Sequence, residues 1–509
     1  MQGLFTLFRK ISNDEAHFAT ELTLENIKLP EFLRLCMDAG QANEVCAYLQ
    51  NVSNAEDIID KQNFFKALIS SDFLHDMFAK AEKELMLATQ LLELFHKEKD
   101  TTLKLYYFYR FMEVYLILLY DISTSLENNS NHGSVLAGFA SGITSFCQEE
   151  PVQAALRDIR TIRRVFEASA TKQDFEIRLY GSSLLGYNSI PVDDVHQNLG
   201  GQLLGLFSDL GMDVSNVNKA RHLEGDTAHS YIWMIIKNDS QLHKRLLNYY
   251  EQHKPLLESI TIDAGDIPTI LGIKALHDFL VAREIPLCFP GIAPRGSRAV
   301  TIHNCHDLSL FGQKAEKIIP NHFISDGEER IFILTGVNSG GKTTYLRGLG
   351  VAIAFFNAGL FIPATNACIP CFEEMTALFA GATPNIRDGA KRFIHEKEIV
   401  YKAIENSKPS SFILVNELFS SIDERTALAE YGQIINLLQQ KTCFCLMITH
   451  YQSLPEWVQP YPEIVSLMAA TGNNNERLYK IIRSQGSYSN VLDILRKYAL
   501  TPDLLNKEV

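Results

Sequence analysis

Hydrophobic positions along the chain follow two different periods, and the change between them divides the sequence. Up to about residue 295, apolar side chains recur at helical spacing and alternating β-branched runs are scarce. Glycine and proline fall between these segments, as at Gly186–Pro191 and Gly200–Gly201. This part is therefore expected to be predominantly α-helical, with the clearest helices predicted at Glu82–Glu98, Leu103–Asp121, Gln241–His253 and Ile267–Arg283.

After about residue 299, short β-rich runs alternate with helical segments, which is typical of a parallel sheet with crossover helices. An extended segment from Ile285 to Pro294 leads into this part. We therefore predict a mainly helical region at 1–298 and an α/β domain at 299–509. The predicted strands are Ile331–Thr335, Ser411–Asn416, Cys443–Thr449 and Leu478–Ile482.

The most apolar stretch, Leu103 to Tyr120, contains Lys104, Arg110 and Glu113. Charges at membrane depth are costly, so a buried aromatic-rich helix is the better interpretation than a membrane span. No membrane association is expected from this sequence.

Composition limits the location and the partners of the protein. The first twenty residues lack the features of an export signal, so the nine cysteines are expected to be reduced thiols in the cytoplasm. Cys368 and Cys371 form one C-x-x-C without a second ligand pair nearby, which argues against zinc. The net charge of −13 means that nucleic-acid binding would require basic residues concentrated on one surface.

A phosphate-binding loop is the strongest chemical motif. It matches G-x-x-x-x-G-K-[ST], follows a predicted strand, and opens a helix predicted from Lys342 to about Asn357. Main-chain N–H groups and the helix N-terminus would bind the phosphates of ATP, Lys342 would neutralise their oxygens, and Thr343 would ligate Mg²⁺. The alternative is a chance glycine-lysine turn, which the strand-loop-helix setting disfavours. The predicted nucleotide-binding residues here are Gly336, Val337, Asn338, Ser339, Gly340, Gly341, Lys342, Thr343 and Thr344.

Two polar residues end the strand predicted at Ser411–Asn416. Glu417 is placed to orient or deprotonate the attacking water, and its alternative role is a carboxylate favoured at a helix start. Asn416 stands where an aspartate normally holds the magnesium shell. An amide oxygen still accepts hydrogen bonds from metal-bound water but brings no charge, so slow ATP hydrolysis is expected.

His450 follows the strand predicted at Cys443–Thr449, at the end of a parallel sheet where ligands bind. There its imidazole would contact the γ-phosphate or the attacking water and so act in catalysis. A purely structural histidine is the alternative.

The amino-acid sequence of these motifs resembles that of the ATPase domain of the MutS family of DNA mismatch-repair proteins. Thr335 to Arg347 is similar to the family's TGPNMGGKSTYMRQ, and Ile448 to Tyr451 resembles its ATHY segment. Ile319 to Asn321 lies where the family carries a short nucleotide-contacting segment. Gln485 to Pro502 is similar to the family's closing SYG-to-AGLP segment, so the resemblance covers about residues 270–505.

The resemblance implies a P-loop ATPase that forms a homodimer with composite ATP sites and couples ATP to a clamp on DNA. The helical region would then contain the family's core and lever. Asn321 is expected to contact the nucleotide by this resemblance alone.

The chain departs from the family pattern at three places. Asn416–Glu417 replaces the Asp–Glu pair, and Leu418 to Ser421 replaces a glycine-rich stretch. Lys391–Arg392 aligns with two hydroxyl residues of the segment that acts across the family's dimer. These cations would either contact a phosphate of the partner or form a solvated helix face.

The sequence lacks a recognisable mismatch-reading domain. Its two F-x-E motifs, Phe111–Glu113 and Phe372–Glu374, fall in a predicted helix and in the ATPase-like part. The leading hypothesis is a MutS-like dimer that grips mismatched, branched or distorted DNA in repair or recombination. An ATP-switched protein-interaction module is the alternative. A small-molecule kinase is disfavoured because the helical half has no role in it.

Overall fold

A computed structural model describes residues 5, 7–8, 17–127, 134–172, 225–313, 318–380, 388–451, 453–458, 461–472 and 476–484. The chain forms two compact units. The first combines Met1–Phe8 with Phe73–Ile267, and the second combines Arg9–Asp72 with Pro268–Val509. The sequence patterns at Gly186–Pro191, Gly200–Gly201 and Gln485–Pro502 lie outside the described residues.

The secondary structure is numbered here in chain order. The helices are α1 (Glu21–Asn26), α2 (Leu29–Cys36), α3 (Ala39–Leu49), α4 (Ala55–Ser70), α5 (Asp72–Lys97), α6 (Thr101–Glu127), α7 (Ser134–Gln148), α8 (Glu150–Lys172), α9 (Gly225–Asn238), α10 (Ser240–Ser259), α11 (Ile267–Val281), α12 (Lys342–Asn357), α13 (Gly389–Asn406), α14 (Glu424–Lys441) and α15 (Leu454–Val458). The strands are β1 (Gly291–Ile292), β2 (Val300–Cys305), β3 (Asn321–Ser325), β4 (Ile331–Thr335), β5 (Asn366–Ile369), β6 (Glu374–Phe379), β7 (Ser411–Asn416), β8 (Phe444–Ile448), β9 (Ile464–Thr471) and β10 (Arg477–Arg483).

The first unit is helical and is organised around α6, which packs against α7, α8, α9 and α10. Most of the α6 side chains are buried, as expected from its aromatic composition. The buried Arg110 and Glu113 form an ion pair, and Glu113 Oε1 also lies 2.8 Å from Arg163 Nε on α8. Buried charges are tolerated when they are paired in this way. The prediction of a buried helix here is confirmed, and none of the described helices is long and apolar enough to span a bilayer.

The second unit contains a six-stranded sheet in the order β10-β9-β4-β8-β7-β6. The pairs from β9 to β6 are parallel. Strand β10 is antiparallel to β9 because a connection of a few residues can only reverse the chain. The four strands predicted from sequence are all present, although Leu478–Ile482 is part of an antiparallel edge strand rather than a parallel one. The expected α/β class is confirmed.

A second sheet in the order β1-β5-β2-β3 was not anticipated from the sequence. Its strands are short, and β2 pairs with β3 through an irregular register between Ile302 and Cys305. Asn321 is the first residue of β3, so this sheet fixes the position of Asn321.

Helices α1 to α4 belong to the second unit, and the residues just before α1 extend its main sheet. Ala19 bridges Met375 of β6 in parallel, and Met375 N donates to Phe18 O at 2.6 Å. Asn26 Nδ2 donates to Ala377 O, also on β6, at 2.8 Å. Strand β6 ends the sheet, so these bonds occupy an edge that would otherwise have unpaired backbone groups.

The same helices also hold the C-terminal end of α12. Tyr48 Oη donates to Ala358 O at 2.8 Å, and Asn357 Nδ2 donates to Asn51 O at 2.7 Å. Residue 298, where the sequence pattern changes, therefore lies inside the second unit. Helical periodicity shows which face of a helix is buried but not which unit buries it. The assignment of 1–298 as a core and lever stays a prediction.

Candidate functional site

The P-loop connects β4 to α12 by a turn that requires glycine. Gly336 and Gly341 have φ angles of 123° and 90°, which L side chains rarely adopt. A Cβ on Gly340 would lie 2.9 Å from Val337 O. The backbone is therefore folded closely on itself, as a loop that surrounds a phosphate with N–H groups must be. Val337, Asn338 and Ser339 form its exposed tip.

Lys342 begins α12 and lies inside this loop, with 4% of its surface exposed. Its Nζ donates to Gly336 O at 2.8 Å and to Val337 O at 3.1 Å. Burial lowers the pKa of Lys342, while the Glu417 carboxylate opposes that shift. The predicted lysine therefore carries its charge on the same side of the sheet as the predicted base, which follows β7.

Thr343 and Asn416 meet across the ends of α12 and β7. Thr343 Oγ1 donates to Asn416 Oδ1 at 3.2 Å. A hydroxyl and an amide oxygen are neutral ligands that suit Mg²⁺ when phosphate oxygens and waters complete its shell. The two residues therefore fit the magnesium site predicted from the sequence.

Glu417 follows β7 in a left-handed conformation, with a φ angle of 53°. Its N–H donates to Ile448 O of the neighbouring strand at 3.0 Å. The carboxylate is half-buried and directly follows Asn416. A glutamate held rigidly at the carboxyl end of β7 can accept a proton from a water molecule there.

The segment after Glu417 is fixed by two buried tyrosines that sequence reasoning did not select. Tyr431 Oη donates to Leu418 O at 2.9 Å, and Tyr451 Oη donates to Phe419 O at 2.8 Å. Tyr431 lies in α14, and Tyr451 lies just after β8. A hydrophobic pattern predicts that both side chains belong to the core. Nothing in their spacing indicates these hydrogen bonds.

His450 is exposed at the end of β8, and its ring lies 4.1 Å from that of Tyr451 between centroids. The preceding Thr449 is fully buried, and its N–H donates to Leu334 O at 3.1 Å. The imidazole therefore projects from an ordered strand end, which is where the sequence predicted it.

Asn321 is the first residue of β3, and its side chain bonds β10. Its Nδ2 donates to Tyr479 O at 3.0 Å, and its Oδ1 accepts from Ile481 N at 2.8 Å. The side chain thus joins β3 to β10. A pocket adjoining it is lined by Ile319, Thr344 and Asn321 itself, among other residues.

Lys391 and Arg392 lie in the first turn of α13. Lys391 is exposed, whereas Arg392 Nε donates to the buried Glu396 at 2.8 Å within the same subunit. The two cations predicted to act together are therefore in different environments. Sequence reasoning missed Glu396, although a glutamate on the same helical face as Val400 and Ile404 is a usable signal.

Both F-x-E motifs are in buried surroundings. Phe111 is inside α6 with no exposed surface, and Phe372 is 3% exposed just before β6. Neither phenylalanine is available for insertion into a duplex, as the sequence analysis expected.

Comparison with known proteins gives the same assignment for this part of the chain. Residues 332–500 match the family model of MutS domain V. The chain is 27% identical over 248 residues to the DNA mismatch repair protein MutS of Chlorobium phaeovibrioides, covering 47% of this chain and 28% of that protein. It is 26% identical over 284 residues to MutS of Chlorobium chlorochromatii, covering 52% and 31%. MutS of Lactobacillus delbrueckii subsp. bulgaricus is 26% identical over 235 residues, covering 45% and 27%.

The chain thus spans less than a third of the length of these relatives. The match lies on the unit that carries the phosphate loop, Asn416–Glu417 and His450. Residues 332–500 of this chain are therefore similar to domain V of the MutS family.

Proposed function

We propose that this protein binds ATP with Mg²⁺ at the P-loop and hydrolyses it slowly. The observation that carries the proposal is that four residues meet at the carboxyl ends of the parallel strands. These residues are Lys342, Thr343, Asn416 and Glu417. Main-chain N–H groups from Gly336 to Thr343 bind the phosphates, and Lys342 neutralises their oxygens. Thr343 and Asn416 would hold a magnesium ion, which would supply charge neutralisation to the bound phosphates.

Glu417 acts as the base in this proposal. Its carboxylate accepts the proton of the water that attacks the γ-phosphate, and His450 contacts the same water or the phosphate. Asn416 contributes no negative charge, which weakens magnesium binding and slows turnover.

Asn321 keeps the role of a nucleotide contact in this proposal, as the family resemblance implies. Its Nδ2 donates to Tyr479 O and its Oδ1 accepts from Ile481 N, so the side chain is held in one orientation at the start of β3.

The ATPase is proposed to work as a homodimer that grips mismatched, branched or otherwise distorted DNA. The relatives are named as DNA mismatch repair proteins, which supports this partner. Affinity would rest on phosphate contacts and fall steeply with salt. An ATP-switched module that holds a protein is the alternative, favoured by the net charge of −13 and by the buried F-x-E phenylalanines.

Calorimetry with ATP and Mg²⁺ tests the nucleotide site. We expect Lys342→Ala to abolish ATP binding or turnover, and Glu417→Gln to preserve binding while slowing hydrolysis. Absence of heat with the folded wild-type protein would refute the ATP site. Equal turnover in wild type and Glu417→Gln would remove Glu417 from its role.

Titration of labelled duplex, heteroduplex and junction DNA across salt, with and without ATP, separates the two partner hypotheses. Binding that strengthens with ATP and weakens with salt supports the DNA clamp. Absent or salt-insensitive binding supports the protein-partner alternative.

A further inference from the structure

The backbone that carries Glu417 is held in an unfavourable conformation. Glu417 and Phe419 have φ angles of 53° and 62°, and both are L residues with a Cβ. Left-handed conformations of this kind persist only where surrounding contacts enforce them. Glycine would adopt these angles without steric cost, whereas these two side chains need support from their neighbours.

A single buried carboxylate bonds the main chain of this segment from α13. Glu396 is 3% exposed, and its Oε2 accepts from Phe419 N at 2.7 Å. Its other oxygen accepts from Arg392 Nε at 2.8 Å, so the buried charge is compensated. The Phe419 ring is fully buried and packs against Phe393, one turn before Glu396, at 5.5 Å between centroids.

These bonds hold Glu417 from both sides. Its own N–H is bonded to Ile448 O on β8, and the N–H two residues later is bonded to Glu396. Loss of the Glu396 carboxylate would leave a buried N–H without an acceptor. It would leave Leu418 and Phe419 held by the tyrosine bonds to their carbonyl oxygens, without the bond to the Phe419 N–H. The direction of the Glu417 side chain depends on the φ and ψ angles that these two bonds help to fix, together with the bonds from Tyr431 and Tyr451.

We propose that Glu396 is a positioning residue that aims the Glu417 carboxylate at the attacking water, and that Arg392 orients Glu396 through their ion pair. Glu396 touches no phosphate or water in this role and acts only through the main chain. The inference rests on the proposed ATP hydrolysis for its kinetic consequence. Its structural part, the anchoring of the segment, is independent of nucleotide.

The test compares Glu396→Gln and Glu396→Ala with Glu430→Gln. A glutamine keeps an oxygen that accepts from Phe419 N but loses the charge, whereas alanine removes the acceptor. Glu430 is a matched control because it is 8% exposed, lies on α14, and bonds Lys397 and Tyr401 of α13 rather than the Glu417 segment.

Three quantities are measured for each variant: amide hydrogen exchange of residues 415–422 without nucleotide, the Kd of ATP, and the steady-state kcat. In Glu396→Ala we expect faster exchange in this segment and a kcat lowered about tenfold, the scale of one lost hydrogen bond to a charged group. The Kd of ATP is expected to stay within about twofold of wild type. Glu396→Gln should recover part of kcat, and Glu430→Gln should match wild type.

Wild-type exchange and wild-type kcat in both Glu396 variants would overturn the proposal. So would an equal loss of kcat in Glu430→Gln, since that result indicates general loosening of α13 against α14. If the wild-type protein fails to bind ATP, the proposed function is refuted. The exchange data then still decide whether Glu396 anchors the segment.

Discussion

Asp307 is a buried carboxylate whose titration makes the second unit less stable at neutral pH. It is 5% exposed and lies at the start of a 3₁₀ turn, where its oxygens accept from Ser309 N at 3.0 Å and from Ser309 Oγ at 2.8 Å. Burial raises its pKa to about 6 from the usual 3.8, although the Ser309 bonds and Arg347 act in the opposite direction. Desolvation therefore outweighs its partners.

The sign of the effect follows from the raised pKa. Between pH 3.8 and about 6 the folded protein binds more protons at Asp307 than the unfolded chain does. The stabilisation is complete below the unfolded pKa and is lost as pH rises through the folded pKa. A shift of about two pKa units corresponds to about 3 kcal/mol, so Asp307 costs roughly that free energy at pH 7.5 relative to pH 3.5.

Replacement of Asp307 by asparagine keeps the shape and an acceptor for Ser309 N, while the Ser309 hydroxyl can turn to accept from the new amide. We expect Asp307→Asn to raise the free energy of unfolding by about 1–3 kcal/mol at pH 7.5, and the difference to vanish near pH 4. Urea unfolding from pH 4 to 7.5 measures it. In a Trp233→Phe background, Trp457 is the one remaining tryptophan and reports on the second unit.

Asp423→Asn serves as a control of opposite sign. Asp423 is exposed and caps α14, and its hydrogen bonds to Thr426 lower its pKa. Its substitution should reduce stability at neutral pH and have less effect in acid. Parallel pH profiles for wild type and Asp307→Asn would refute the reasoning about Asp307.

Three further substitutions probe the site and the packing around it. Asn416→Asp should lower the Mg²⁺ concentration for half-maximal ATP turnover roughly tenfold, because the new carboxylate adds a negative charge beside Thr343. An unchanged magnesium titration would contradict the proposed role of Asn416. Phe419→Gly should lower the free energy of unfolding by about 2–4 kcal/mol, since lost core packing exceeds the relief of its left-handed backbone, and a gain in stability would refute that balance. Gly359→Ala should cost at least about 1 kcal/mol in thermal or urea unfolding, because its φ is 74° and a Cβ would lie 2.4 Å from Lys61 Cβ.

The sequence by itself determined the elements that have a local cause. The strand at Ile331–Thr335 and the helix at Lys342–Asn357 have the residue bounds predicted for them, because hydrophobic runs and the glycine-rich turn act over a few neighbouring residues. The P-loop residues and the order of Asn416 and Glu417 after a buried strand follow from the same local rules.

Tertiary structure alone decided which distant segments meet. Helix α1 and the residues just before it close the β6 edge of a sheet more than 300 residues later in the chain, and helical periodicity carries no information about that partner. The bond from Glu396 to Phe419 N and the use of Asn321 to join β3 to β10 depend equally on packing between separate elements. Local structure depends on neighbouring residues and can be predicted from them. These hydrogen bonds, in contrast, form only when the hydrophobic core has brought their partners to within about 3 Å.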